Sequence, residues 1–530
     1  MQKLYLKQNV LVEPLVNQWY MWSHLIAPQT AAMHIANSHL KMMQSFVAAP
    51  HVHAAALKDP AMLGGPFINY DATRVSEIEE LMRRTAKEQA RLLEFAAAVS
   101  ALDAMLSADA TGNSLEPLYQ KVPEILKGYV ELVYDLNNHP SIRFIEGMLY
   151  KSPLYSEATQ SVALSLIERE DRPFAFSTPW LPKPGCLPVT LPFKFAGYDE
   201  MFRMKSEPQP NGHLHEMFLI EHGAHDLFSS FFTTAPPPPP QTYTGDGVRI
   251  RYLGHACLLI EAGGLSLLCD PLVSYQYPGG IPRYTFADLP EQLDFVLITH
   301  NHQDHCMFET LLQLRYRIKN VVVPKCNGGA LADPSLKHAL QNVGFKNVIE
   351  IDEGETLAVE GGGITGLPFL GEHADLNVRT KIAYLISLKG RSIICAADSN
   401  NIEPQLYEHI NCFAAEIDVL FVGMECDGAP LSWLYGPLMT KPFSRKMDQS
   451  RRLDGSTFEK ARKIIDSLRP KQVYVYAMGQ EPWLTFLTSI KYTAQSRPIV
   501  ESNKLVEECR KRGILSERLF GQKQIHLQAQ

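Results

Sequence analysis

Residues 295–308 read FVLITHNHQDHCMF. An apolar run stops abruptly, and His300, His302, Asp304 and His305 follow within six positions. Side chains two apart in an extended chain share a face, so His300 and His302 point the same way just past a strand end. The next residues turn amphipathic, which puts Asp304 and His305 at the start of a helix. Four nitrogen and oxygen donors so closely spaced are more than a solvated turn needs. Imidazole with carboxylate suits zinc, iron, manganese or nickel. Cys306 adjoins the cluster, but a lone cysteine beside an apolar run is expected to be packing.

Outward from this stretch, apolar strands alternate with helical segments. VRIRYLGHACLLIEAGGLSLLCDPL, residues 248–272, reads as strand, Gly-Gly turn and strand, the second ending at Asp270-Pro271. NVVVP, AYLISL, RSIICAAD, DVLFVGME and QVYVYAM are further strands, with helices at CMFETLLQLRYRI and STFEKARKIIDSL between them. Strands apolar along their whole length belong to sheets covered on both faces. Chemistry in such folds gathers at the C-terminal ends of strands. Those ends carry Glu372 and His373, then Asp398, then Glu425 and Asp427.

At 530 residues the chain is too long for one core. Pro236 to Pro240 form an unbroken proline run, which favours an extended spacer. We therefore expect a mixed α+β unit over 1–235, a linker over 236–246 and an α/β unit over 247–530. In the first unit, residues 73–107 have helical spacing, and residues 114–137 suggest more helix with a proline break. His213, His215, His222 and His225 lie close together there, and are read as a polar strand edge and loop.

A net charge of -7 and a pI near 6.2 give nucleic acid no electrostatic footing and argue against anionic membranes. No stretch has the apolar length of a membrane span, and the N-terminus lacks a signal-peptide core. Nine cysteines without a CxxC pair indicate neither a disulfide framework nor a thiolate zinc site. The expected location is the cytoplasm.

The HxHxDH motif, preceded by YLGHACLLIEAGGLSLLCDP, resembles the metallo-β-lactamase fold over about residues 245–520. That resemblance implies an αββα sandwich with two metals at one sheet edge. Hydrolases of that fold carry a histidine on the loop that here reads FLGEHADL, and another on a late loop that here reads VYVYAMGQEPW and has none. The whole chain is similar to the diiron β-hydroxylases that act on amino acids bound to nonribosomal peptide synthetases, such as the chloramphenicol-pathway enzyme. The length, the large N-terminal unit, the HNHQDH form of the motif, Glu372 and YAMGQEPW carry this likeness.

The resemblance implies two iron ions joined by an oxo or hydroxo bridge, with O2 as co-substrate. His300, His302 and Glu372 would hold one iron, Asp304 and His305 the other, and Asp398 would lie between them. Glu372 and Glu425 would be the catalytic carboxylates. The implied partners are a carrier domain bearing a phosphopantetheine-linked amino acid, an external electron donor and, through the N-terminal unit, a second copy of the chain. The arm implies a channel between the two units. Charge agrees with this choice: three carboxylates nearly balance two ferrous ions, whereas a zinc hydrolase needs a metal charge high enough to acidify bound water. The alternative is a dinuclear zinc hydrolase, a lactonase or thioesterase with His373 as a ligand. A non-enzymatic metal-bound scaffold is a third reading.

Overall fold

A computed structural model describes residues 3–170, 172–210, 213–413 and 416–529. Two seven-stranded sheets form the part of the fold that carries the HxHxDH stretch. The first runs, edge to edge, Val348–Ile351, Ile318–Pro324, Leu293–Leu297, Leu265–Cys269, Leu258–Ala262, Val248–Tyr252 and Lys523–Leu527. The second runs Thr356–Val359, Gly362–Leu367, Ala383–Leu388, Arg391–Cys395, Val419–Gly423, Gln472–Tyr476 and Leu515–Arg518. Antiparallel hairpins start each sheet and parallel strands follow, while Lys523–Leu527 closes the first sheet antiparallel to Val248–Tyr252. Leu297 lies between Cys269 and Val322 in the first, and Phe421 between Cys395 and Tyr474 in the second.

Both faces of these strands are apolar because both are covered. Ile250, Leu267 and Val322 of the first sheet pack on Ile364, Tyr384 and Phe421 of the second. Helices Phe458–Leu468 and Arg497–Lys511 cover the outer face of the second sheet through Ile464, Ile465, Leu505 and Val506. Helix Phe308–Leu314 covers that of the first. The result is the αββα sandwich of the metallo-β-lactamase fold.

The residues before the proline run are mixed α+β. A four-stranded antiparallel sheet orders Trp19–Tyr20, Val10–Val16, Gln160–Leu166 and Leu187–Val189. The helical pattern over 73–107 is two helices, Val75–Glu88 and Ala90–Asp109, separated at Gln89. One apolar cluster crosses the proline run: Val12, Met201 and Phe228 share it with Leu268, Phe308 and Leu484. No helix among the described residues is long and apolar enough to cross a membrane.

Three local expectations are corrected. Residues 114–137 are not a continuing helix. Short 3-10 turns at Glu116–Lys121 and Glu124–Leu126 lead into strand Val130–Tyr134, which pairs with Pro140–Phe144. Pro123 lacks the N–H a helix needs, Gly128 takes a left-handed φ of 78°, and Val130 and Leu132 then alternate inward. Asp304 and His305 precede their helix, which begins at Phe308. They lie in a turn closed on the His302 carbonyl by the N–H groups of His305 (3.2 Å) and Cys306 (2.9 Å). The histidine-rich stretch 213–225 forms short helices, Leu214–Met217 and the start of His225–Ser230, instead of a strand edge. His215 and His225 have ring centroids 4.4 Å apart, but no metal-sized donor group forms there among the described residues.

Glu146 ties the two parts of the chain together. Its carboxylate accepts the Ser335 N–H at 3.0 Å, beside the start of helix Leu336–Asn342. Burial pushes its pKa up to about 7, against the pull of the Ser335 N–H and Gln29. The folded-state value lies above the unfolded one, so this group favours folding below about pH 4.5, and the contribution is lost as pH rises to about 7. Its span is about 3 kcal/mol. Thermal unfolding against pH is expected to show Glu146→Gln gaining on the wild type by about that amount between pH 4.5 and 8, with no such trend if the carboxyl titrates normally.

Candidate metal centre

The structure brings His300, His302, Asp304, His305, Glu372 and Asp398 to one edge of the sandwich, past the ends of strands Leu293–Leu297, Gly362–Leu367 and Arg391–Cys395. Three donor groups of metal size form: His300, His302 and Glu372; His300, His305 and Asp398; and His255, Asp304 and His305. Glu372 Oε1 is 2.8 Å from His302 Nδ1, and its Oε2 is 3.8 Å from His300 Nε2. Asp398 Oδ2 is 3.1 Å from His305 Nε2.

Hydrogen bonds on the far side of each ring fix which nitrogen faces inward. His305 donates from Nδ1 to Asp270 Oδ2 at 2.7 Å. Thr299 donates its hydroxyl to the same oxygen at 2.6 Å and its N–H to Asp270 Oδ1 at 2.7 Å. The Thr299 oxygen is thereby an acceptor for His300 Nδ1, 3.0 Å away. One buried carboxylate therefore orients two imidazoles, leaving Nε2 of both free for a cation. His302 is turned the other way: its Nε2 meets the Tyr435 hydroxyl at 3.0 Å, so Nδ1 faces inward. Replacing Asp270 by Asn removes the charge that holds both tautomers. Metal affinity, followed by competition with a chelator, is expected to fall about 10- to 100-fold, with the fold intact by circular dichroism.

His255 escaped the sequence reading although it stands in the quoted YLGHAC. Its Nε2 is 3.1 Å from Asp304 Oδ2. Its Nδ1 accepts the Gly479 N–H at 3.1 Å, so in the neutral ring the proton sits on Nε2. The 3.1 Å approach to Asp304 is an electrostatic contact, since His255 Nε2 is buried without a hydrogen-bond partner, and the same atom completes a donor group with Asp304 and His305. The signal for it was the turn between two antiparallel strands that end at the same edge. Asp270 and Tyr435 also went unread as site residues. His373 lies in none of the donor groups among the described residues; its ring stacks on His302 at 4.5 Å. Asp427 is exposed, and Glu425 is half-buried in the cavity wall.

The backbone is strained here. His255, Asp270, Glu372, Ala397 and Ala477 all take left-handed φ, between 39° and 65°. Non-glycine residues rarely do so, and such positions concentrate where the surrounding fold enforces a functional geometry.

Electrostatics and hydrogen bonding favour cations. Burial and the neighbouring rings, His305 first, push His300 well below the usual imidazole range. At His305 burial acts in the same downward direction, but Asp398, Asp270 and Asp304 outweigh it and hold the ring well above that range. Burial lifts Glu372 to about 7 despite His302. Burial also opposes ionisation of Asp304, but His305 and His255 prevail and keep it below the carboxylate range. His300 Nε2, Glu372 Oε2 and Asp398 Oδ1 are buried without a hydrogen-bond partner. Unsatisfied groups of this kind cost about 1–3 kcal/mol each, and bound cations remove that cost.

A cavity of about 730 Å³ leads to this edge. Met42, Phe174 and Phe176 line it from before the proline run, and Glu425, Trp433 and Tyr492 from after it.

Residues 5–236 match the family model described as "Diiron non-heme beta-hydroxylase N-terminal domain", and residues 249–427 match "Beta-lactamase superfamily domain". The chain is 40% identical to the 4-amino-L-phenylalanyl-[CmlP-peptidyl-carrier-protein] 3-hydroxylase of Streptomyces venezuelae, over 98% of this chain and 99% of that protein. The chain belongs to the diiron β-hydroxylase family. The crystal structure of CmlA, a diiron β-hydroxylase from Streptomyces venezuelae, superposes with a TM-score of 0.92 at 39% identity, covering 99% of this chain and all of that one. A metal-dependent hydrolase of Methanopyrus kandleri is 30% identical over only 29% of this chain and 62% of its own length. Diiron β-hydroxylases need a site for two iron ions, and the unsatisfied donors described above, with three carboxylates and three imidazoles, fit that pair.

Proposed function

We propose that this diiron β-hydroxylase inserts one oxygen atom at Cβ of an amino acid held as a thioester on a carrier domain. Similarity over 98% of the chain, at 40% identity, to a hydroxylase of a carrier-bound aminoacyl group supports the substrate class. The observation that carries the reading is the acidic donor set: Glu372 Oε1 stands 2.8 Å from His302 Nδ1, where a zinc hydrolase would use a histidine.

His300 and His302, through the nitrogens left free, would hold one iron together with Glu372, Asp304 and His305 would hold the second, and Asp398 would supply a carboxylate to the pair. Bound iron supplies O2 activation with two external electrons, and with it the removal of the Cβ hydrogen. Asp270 and Tyr435 keep the three rings aimed inward, and His255 steadies Asp304. Phe174, Phe176, Trp433 and Leu487 wall the cavity with apolar surface, which seats the side chain and keeps bulk water from the reacting carbon. Glu425 faces the same cavity. Burial lifts its carboxyl to about 8; the Asp427 N–H opposes this, and Asp454 and Asp398 add to it.

The electrons come from a separate reductase: the GxGxxG match at Gly361–Gly366 runs into strand Gly362–Leu367, which pairs antiparallel on both sides, and opens no helix that could cradle a dinucleotide. The chain works as a homodimer; exposed Leu136, Ile145 and Met148 around the hairpin at 130–144 support an apolar contact surface. It works in the cytoplasm, a compartment suited to its free cysteines.

The test is mass spectrometry of carrier domains loaded with different amino acids, after mixing with reduced protein and O2. A gain of one oxygen on Cβ is expected. Thioester cleavage by a colourless protein with stoichiometric zinc would overturn the reading.

A further inference from the structure

The chain is acidic overall, yet one rim of the cavity is basic. Residues 441–452 read KPFSRKMDQSRR, with Asp448 the one acid among five basic residues. Helix Arg445–Ser450 presents Arg445 and Lys446 to solvent, with Met447 beside them 47% exposed. Asp448 is turned inward. Its carboxylate accepts the Ser432 N–H and hydroxyl, both at 2.8 Å. That fastens the helix to the turn Leu431–Leu434, whose Trp433 and Leu434 line the cavity. Arg452 also lines it; its Nε is buried and unpartnered, and its nearest acid, Asp427, is 3.9 Å away. Lys491 stands exposed on the same lining. Among the described residues Arg445, Lys446 and Lys491 pair with no acid. The charge of Arg445, Lys446 and Lys491 is therefore without an acid partner, Arg452 has only the distant Asp427, and the helix carrying Arg445 and Lys446 adjoins the cavity lining with an exposed methionine beside them.

We propose that this rim docks an acidic carrier domain, with Arg445, Lys446 and Met447 meeting the protein and Arg452 and Lys491 taking the phosphodiester of its pantetheine arm. This rests on the carrier-bound substrate proposed above. The root of such an arm is obligatorily anionic and must lie at the cavity mouth while the thioester end reaches the metal edge. A rim on which, among the described residues, Arg445, Lys446 and Lys491 have no acid partner and Arg452 only a distant one suits that geometry. It also speeds encounter and penalises neutral or basic partners.

The test measures binding of fluorescently labelled carrier domain, with and without its arm, by anisotropy at low and high salt. For the wild type, affinity is expected to fall as salt rises. The double variant R445E/K446E is expected to weaken binding of both carrier forms about tenfold or more, because like charges then face each other. R452Q/K491Q is expected to weaken only the form with the arm. Turnover of the same amino acid presented as a soluble pantetheine thioester is expected to be unchanged in R445E/K446E, which shows that the fold and metal edge are intact. A control, K319E/K471E, reverses charge at the opposite end of the sheets, where Lys319 pairs with Asp294 and Lys471 with Glu416, and is expected to bind as the wild type does. If the wild type hydroxylates loaded carrier while R445E/K446E binds within about twofold of it, the docking surface is wrong and the function stands. If no carrier form binds or reacts with the wild type, both fall.

Discussion

Glu372→Gln is expected to fold normally and to lose iron and hydroxylation together. The amide keeps the size of the side chain and can keep the backbone at its φ of 65°, but it cannot supply the negative charge. What remains is a pair of imidazoles, His300 and His302, with a neutral oxygen beside them. Losing a partner outside the ligand set typically costs 10- to 100-fold in affinity or activity, so losing a charged donor at the centre is expected to cost about 100-fold or more. His373→Gln is the informative companion. His373 touches Glu372 Oε2 at 3.1 Å and stacks on His302, yet it completes no donor group among the described residues. It is expected to retain both metals. Iron and zinc content by elemental analysis, with the visible spectrum, separates the two variants. The reverse result, iron kept without Glu372 and lost without His373, would return the site to the hydrolase pattern.

The largest stability effect is expected at Glu309. This residue is 1% exposed, on the helix that follows the histidine cluster. Arg172 donates to it twice, at 3.1 and 2.8 Å, and the hydroxyls of Tyr20 and Tyr275 donate at 2.6 and 2.8 Å. Arg172 also lies 3.4 Å over the Phe486 ring. Among the described residues, Glu309→Ala leaves a buried guanidinium that retains the carboxylate of Glu13 alone, 3.4 Å away, and two phenols without an acceptor. Breaking a buried pair this way costs about 3–5 kcal/mol, read as a lower urea midpoint. Arg172→Met combined with Glu309→Leu removes both charges and is expected to recover much of that loss. A double variant as unstable as Glu309→Ala would mean that packing, and not the stranded charge, sets the cost.

The sequence made the metal edge legible where donors cluster locally. His300, His302, Asp304 and His305 share one turn, and Glu372 and Asp398 follow apolar strands that could be recognised as such. Partners that converge from far along the chain left no local mark. Tyr435 meets a ring 133 positions away and Asp270 one 35 away. His255 looked like one residue of a hairpin. The error at 130–134 has the same origin: VELVY has helix formers as well as alternation, and its pairing with Pro140–Phe144 decides between them.

The apolar cluster that crosses the proline run limits how this protein can be rebuilt. Phe308, Leu311 and Leu484 share that cluster with Met201, Phe202 and Phe228, so cutting at residue 240 would expose a sticky face on each fragment. Neither half is a cassette. Swapping the first 235 residues between relatives to change substrate choice would have to carry the matching surface of the second half with it. Leu487 belongs to that cluster, Phe176 packs against it and both line the cavity, so substrate preference and folding share side chains, and a lineage can alter one only as fast as the other permits.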